Sequence, residues 1–389
     1  MGLKDWLLRQ GNKSPMVLTG GCADIQHWED IYNGGGDWRY TRRGGIQGGT
    51  RRMASLGAAK ALCGELARLC FTEGTAMCYS DKDTESFVNG VLRQSRFAER
   101  FPGFLEKVFA LGGGVIKVYW NDGVKVDLVT ADCFLPTAWD SRSITGGAFA
   151  SRIVSGGRSY ILAETQELDG SALVIRNRLY REDGASADMQ EILPGLQEQS
   201  RIEGINAPLF VYLSAGGSRR SVLSGECPLL GRSVFAGAED TLKGIDTVFD
   251  SLTREFVLGR KRIIVPAYAI RGEWDSDGNK KQYFDVNDEV FQAMSTSDAE
   301  ELKITDNTGD LRVDEHVQAL GELLGLLCMQ AGLSEGALTF RDGTIRTAAE
   351  VVSRNSRTRF WSFAARSLSL SSGWLCWLAE RLRKSWTRA

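Results

Sequence analysis

Two stretches of this chain carry the same apolar spacing and together restrict what it can fold into. Ala238, Leu242, Ile245, Phe249, Leu252 and Phe256 recur at steps of four, three, four, three and four, and Val313, Val317, Leu320, Leu324, Leu327 and Ala331 repeat those steps. Such spacing lays six side chains along one narrow stripe of an α-helix. A stripe of this kind must be covered, by the chain's own core or by another copy of the chain. Between the stripes, from Gly259 onward, Ile263-Ile264-Val265-Pro266 and the turn Asp277-Gly278-Asn279 predict short strands and turns.

Charge is segregated around these helices. From 273 to 315 thirteen Asp and Glu face four Lys and Arg, whereas from 341 to 389 three face ten. The acidic segment holds Asp275, Asp277, Asp285, Asp288 and Glu289. Asp298, Glu300 and Glu301 have the chemistry to hold a divalent cation, but an acidic run is ordinarily a solvated face, and no metal is expected.

A third helix is predicted over 344–383. Thr347 and Glu350 have the spacing of a capping box, in which the Thr side chain takes the amide three residues on and the Glu reaches back. Val351, Phe360, Ala364, Leu368, Leu375 and Leu382 then fall near one stripe, with Arg354, Arg357, Arg359, Arg366, Arg381, Arg383 and Lys384 mostly elsewhere. At 1.5 Å per residue it would be roughly 55 Å long.

The first half predicts α+β. Residues 1–50 show little periodicity, many Gly, and an Arg-aromatic cluster of Trp38, Arg39, Tyr40, Arg42 and Arg43. They are expected to form an irregular arm, suited to subunit contact or to nucleic acid. Met53, Leu56, Leu62, Cys63, Leu66, Ala67, Leu69 and Cys70 form a helical stripe, and a second helix starts near Asp83 and carries Phe87, Val88, Val91, Leu92 and Phe97. After Pro102 a short helix over 104–110 ends at Gly112-Gly113-Gly114, and strands over 115–120 and 124–129 flank Asn121-Asp122-Gly123 as a β-hairpin. A phosphate loop needs strand, Gly-rich loop, then helix, which is the reverse of this order. Strands over 148–154, 159–165, 172–180 and 209–213 predict an antiparallel sheet, and 229–236 reads as extended.

Composition excludes several classes. No run approaches the 18 apolar residues of a membrane span, and Met1–Gln10 lacks the apolar core of a secretory signal. The eight Cys form no Cys-x-x-Cys pair, so reduced and mostly buried thiols are expected rather than disulfides or zinc. The only histidines are His27 and His316, and no Gly-x-Ser-x-Gly elbow exists, which leaves an enzyme without named residues; surface or cap roles are expected for both. A net charge of −2 is not that of a general DNA-coating protein.

The run Thr347-Ala348-Ala349-Glu350-Val351-Val352-Ser353-Arg354-Asn355-Ser356-Arg357-Thr358 resembles the C-terminal signature of tailed-phage portal proteins of siphophages infecting Gram-positive hosts. That family commonly has Thr where this chain has Ala349. Trp28-Glu29-Asp30-Ile31-Tyr32, the segment 110–119 and Ala131-Asp132-Cys133-Phe134-Leu135-Pro136 resemble it in the same order. The resemblance implies a plan: an N-terminal arm (1–50), an α/β wing (51–235), a first stem helix (236–258), a clip (259–310), a second stem helix (311–333), a tunnel loop (334–346), and a long helix (347–389) with a reduced crown.

The same resemblance implies a ring, of twelve subunits in the virion, at one capsid vertex. Double-stranded DNA passes through it without sequence-specific contact. Partners would be the terminase large subunit, which hydrolyses the ATP, a head-completion adaptor, and capsid and scaffold proteins. Assembly would take place in the host cytoplasm, without a cofactor. Phe340, Arg341, Asp342 and Arg346 would form the channel-facing loop, with an ion pair of Arg341 or Arg346 to Asp342 or Glu335 as the alternative. The acidic clip would meet partner surfaces through Asp275, Asp277, Asp285, Asp288 and Glu289, and Thr347, Glu350, Ser353 and Asn355 mark the long helix. The basic tail with Trp374, Trp377 and Trp386 leaves open a peripheral membrane-binding protein, although stable anchoring is not expected. A nucleotide-dependent DNA enzyme is the remaining alternative.

Overall fold

The structure, a computed structural model, describes residues 20–43, 50–71, 82–205, 207–215, 227–259, 263–264, 271–274, 280–283, 305–306, 310–334 and 336–338. Two compact units divide the chain: Thr247–Leu320, and a larger unit that combines Met1–Asp246 with Gly321–Ala389.

The larger unit opens with α1 (Gly20–Tyr32) inside the stretch expected to be an irregular arm. Trp28, Ile31 and Tyr32 of this helix are buried in the chain's own core. Too short to show several periods, the helix is held by packing rather than by pattern. The ribbon β1 (Thr41–Arg43) and β2 (Thr50–Arg52) follows, then α2 (Ala58–Cys70), α3 (Lys82–Gln94) and α4 (Phe97–Leu111). Met53 and Leu56, expected on the helix, precede it: the helix starts only after Gly57, at φ 71°.

Phe97 also differs from expectation. It begins α4 rather than ending α3, because Arg96 at φ 50° breaks the two apart. Helix α4 then continues through Pro102, where a shorter helix was expected. Proline there removes one helical hydrogen bond. Phe97, Phe101 and Phe104 offset the loss: all three are buried, with ring centroids 4.5 and 5.9 Å apart along the series.

Helix α4 leads through Gly112 into β3 (Gly113–Trp120) and β4 (Val124–Thr130), the expected hairpin, with Trp120 opposite Val124. The Gly triplet is a packing device. A Cβ on Gly112 would lie 2.8 Å from the Gly231 carbonyl oxygen, and one on Gly114 would lie 2.7 Å from the Phe104 ring. After a 3₁₀ turn at Ala131–Cys133 come β5 (Phe134–Trp139), β6 (Ile144–Ser155), β7 (Arg158–Asp169), β8 (Ala172–Arg181), the short α5 (Met189–Ile192), β9 (Gln199–Glu203) and β10 (Phe210–Ser214).

All described pairings are antiparallel. Strands β5 to β9 form a five-stranded meander, and β10, β3 and β4 form a second sheet with β3 in the centre. The fold class is α+β, as the sequence predicts. Strand β5 contains Pro136 at a break in register, which an edge strand tolerates. Residues 229–236, expected to be extended, form no strand; 230–233 carry no regular structure and 234–236 lie in a turn.

The two sheets meet through an aromatic cluster. Phe134, Phe149 and Phe210 are mutually 5.2 to 5.5 Å apart, with Val115, Val129 and Cys227 around them. Beside this cluster Lys117 of β3 reaches Glu164 of β7 at 2.9 Å.

Helix α6 (Glu239–Leu258) begins in the larger unit and continues into the smaller one. The smaller unit pairs β11 (Ile263–Ile264) with β14 (Thr305–Asp306), and β12 (Arg271–Trp274) with β13 (Lys280–Tyr283). These are the short strands that the sequence predicts between the stripes. Helix α7 (Val313–Gln330) completes the described elements.

Candidate functional site

Helices α6 and α7 bear the two stripes. Each has acidic residues in its first turn, Glu239 and Asp240 in one and Asp314 and Glu315 in the other, where they favour the positive end of the helix dipole. Helix α6 stops at Gly259, whose amide donates to the Glu255 carbonyl at 2.7 Å. Helix α7 ends in a Schellman arrangement. Gly332, at φ 72°, donates to the Met329 carbonyl, and Leu333 donates back to the Cys328 carbonyl at 2.8 Å.

In the smaller unit the two helices run antiparallel. Arg312 forms a two-nitrogen ion pair with Glu255, and one turn along, His316 Nε2 lies 3.1 Å from Ser251 Oγ. His316 Nδ1 meets the Arg312 carbonyl at 2.5 Å, so the ring is held at both nitrogens at the start of α7.

In the larger unit α6 is tied to the N-terminal region. Asp246 is buried and accepts from Trp38 Nε1 and from the Leu56 amide, each at 3.0 Å. His27 Nε2 lies 3.2 Å from Glu239 Oε2.

The stripes are covered unevenly. Ala238, Leu242 and Ile245 are buried, as are Leu320, Leu324, Leu327 and Ala331, whereas Phe249, Leu252, Val313 and Val317 are half-buried. Phe256, the last stripe residue of α6, is 52% exposed; its neighbour Val257 is 58% exposed and Leu311 42%. A Cβ at Gly259 would collide with Leu311, so these apolar groups gather at one end of the smaller unit. Leu326 and Met329 on α7 are exposed as well.

Beyond α7, Ser334 is buried and Ala337 donates back to the Ser334 carbonyl at 3.2 Å. Backbone amides of Leu338 and Ala337 approach the Cys328 thiol, partly offsetting the burial that raises its pKa. The start of the expected tunnel loop therefore folds against the end of α7.

Phe340, Arg341, Asp342 and Arg346 lie outside the described residues, as do Asp275, Asp277, Asp285, Asp288 and Glu289 of the expected clip, and Thr347, Glu350, Ser353 and Asn355 of the expected long helix. The Trp-rich tail does too. Cys63, Cys70, Cys133, Cys227 and Cys328 are in no disulfide. Among the described residues no group of three or more His, Cys, Asp and Glu has a metal-binding arrangement, and no helix is long and apolar enough to cross a membrane.

Sequence reasoning missed Asp246. It stands on the polar side of the stripe, and its partners lie 190 and 208 residues away. The Arg-aromatic cluster around Trp38 was the available signal, but nothing in it pointed to α6. No protein-family model matches the chain, and no curated protein matches it.

Proposed function

We propose that this chain is a portal subunit, one segment of a ring at a single capsid vertex through which double-stranded DNA is packaged and ejected. The observation that carries the reading is the helix pair. Two long helices, antiparallel in the smaller unit, bracket an acidic excursion of short strands; the stripe on the first ends in exposed Phe256, with exposed Val257 beside it and exposed Leu311 just before the second. Copies arranged head to tail around a closed rotation would cover such groups, since heterologous contacts close into a ring when the rotation does.

In this plan α6 and α7 are the stem, residues 259–310 the clip, and 334–346 the channel loop carrying Phe340, Arg341, Asp342 and Arg346. Acidic side chains along a channel repel phosphates and keep moving DNA from adhering, and outside it they attract basic partner surfaces. The terminase large subunit, a head-completion adaptor, and capsid and scaffold proteins are the partners this plan calls for. Twelve subunits in the virion and an α/β wing built on the two sheets complete it.

Negative-stain electron microscopy of the purified chain, averaged down any symmetry axis, tests the proposal. A ring with a channel of at least ~20 Å, enough for duplex DNA by its groove and helix dimensions, is the expected result. A compact closed oligomer without a channel overturns it.

A further inference from the structure

A cleft of about 850 Å³ opens in the larger unit between the end of α1, the segment from Arg52 to Gly57, and the first turn of α2. Arg39, Arg52 and Lys60 line it, and no Asp or Glu is among the lining residues. Elsewhere basic side chains are often neutralised: Arg100 pairs with Asp127, Arg152 with Glu182, Arg176 with Glu167, and Arg201 with Asp169 and Glu203. None of the three cleft cations forms an ion pair with a described carboxylate.

Their remaining contacts are neutral. Arg39 donates from Nη2 to the Met53 carbonyl at 2.7 Å, and Arg52 donates a longer bond, 3.3 Å, to the Gly34 carbonyl. Lys60 Nζ stands 5.9 Å from the centre of the Tyr32 ring. Arg39 Nε is enclosed and finds no acceptor, the one such side-chain nitrogen or oxygen among the described residues. A buried donor without a partner costs free energy unless something else supplies the acceptor. The start of α2 adds the positive end of a helix dipole, with no side-chain cap on it.

We propose that this cleft binds a phosphate group. Three cations lining one cleft, with no described carboxylate paired to them, form a positive field that favours an anion. Two guanidinium forks match tetrahedral oxyanions better than they match halide ions. The cleft is open, so the phosphate can come from a free anion or from the backbone of a nucleic acid. The proposal does not rest on ring formation.

The test is titration calorimetry of the full chain at low ionic strength, with inorganic phosphate in one arm and a duplex DNA of mixed sequence in the other. Arg52 and Lys60 are exposed, so the double variant Arg52→Gln/Lys60→Gln will fold. Arg39→Lys, which keeps a donor for the Met53 carbonyl, is the second variant, and Arg152→Gln, outside the cleft, is the control.

Saturable binding in either arm that weakens about tenfold or more in the double variant but not in the control is the expected result. If the loss falls on phosphate alone, the ligand is a small anion. If it falls on DNA, with the salt dependence of binding reduced by about two phosphate contacts, the cleft holds the backbone. Absence of saturable binding in both arms, or binding that the double variant leaves unchanged, overturns the proposal.

Discussion

Lys117 of β3 and Glu164 of β7 join the two sheets by an ion pair of 2.9 Å, with side chains only 8% and 16% exposed. The Lys117 ammonium also lies 5.0 Å from the centre of the Phe149 ring, and Glu164 accepts a second bond from Gln166 Nε2 at 2.7 Å. Gln166 in turn accepts from the Leu209 amide at 3.1 Å, so a continuous polar chain crosses from one sheet to the other. Breaking a buried pair from one side leaves a charge without compensation. Glu164→Gln is expected to cost about 3 kcal/mol, read from urea unfolding. The double change Lys117→Met/Glu164→Gln, which removes the charge and keeps an acceptor for Gln166, is expected to recover most of it. A loss within experimental error of zero in the single variant would show that the pair contributes nothing.

Asp246 is the point at which α6 holds the N-terminal region. Asp246→Ala leaves the Trp38 indole N–H and the Leu56 amide without their acceptor, at a cost of about 2 to 3 kcal/mol. The released segment becomes a protease site. Limited proteolysis with fragment masses locates the cut, which is expected near residues 33–57; an unchanged digestion pattern would count against this role for Asp246.

Glycines at close approaches and glycines in open helix should respond with opposite signs. Gly114→Ala places a methyl 2.7 Å from Phe104 and 2.9 Å from Val108, and overpacking of that kind costs about 1 to 3 kcal/mol. Gly90 in α3 has nothing within 4 Å of an added Cβ. Gly90→Ala is expected to stabilise by up to about 1 kcal/mol through helix propensity. Thermal melts of the two variants should move apart, and a rise in both would refute the packing of α4 on β3.

Burial raises the Cys70 thiol from its ordinary 9.0 to about 11. Because the folded pKa is the higher one, the contribution of this thiol to stability is complete below the unfolded value and is lost as pH rises through about 11. At pH 8 its thiolate fraction would be on the order of a hundredfold below that of an unperturbed thiol. Residue-resolved alkylation by mass spectrometry should show Cys70 reacting slowly in the native chain and rapidly in urea. Cys133, raised to about 12 by burial and the Asp132 carboxylate, should react slowly as well. Fast native labelling at either would contradict the packing around it.

If Phe256, Val257 and Leu311 are covered by a neighbouring subunit, Phe256→Asp should abolish rings and leave the melting temperature of the single chain unchanged. Mass photometry and a thermal melt on the same sample separate the two effects. A folding defect in the isolated chain would place the residue in the chain's own core instead.

Legible in the residues alone are the α+β class, the hairpin around Asn121-Asp122-Gly123, three strands of the meander, and the two striped helices with their bracketed strands. Each of these is encoded locally, by a period of two or of 3.5 residues or by turn chemistry, and local pattern is what sequence carries best. The rest follows from long-range packing. It continued α4 through Pro102 because three aromatic rings hold both sides of the proline. It made a helix of 20–32 by burying Trp28, Ile31 and Tyr32, and it brought Asp246 to Trp38 and Lys117 to Glu164. It also gathered Arg39, Arg52 and Lys60 around a cleft without acids. Those relationships join residues far apart in the chain, and no local period records which side chain meets which once the elements pack.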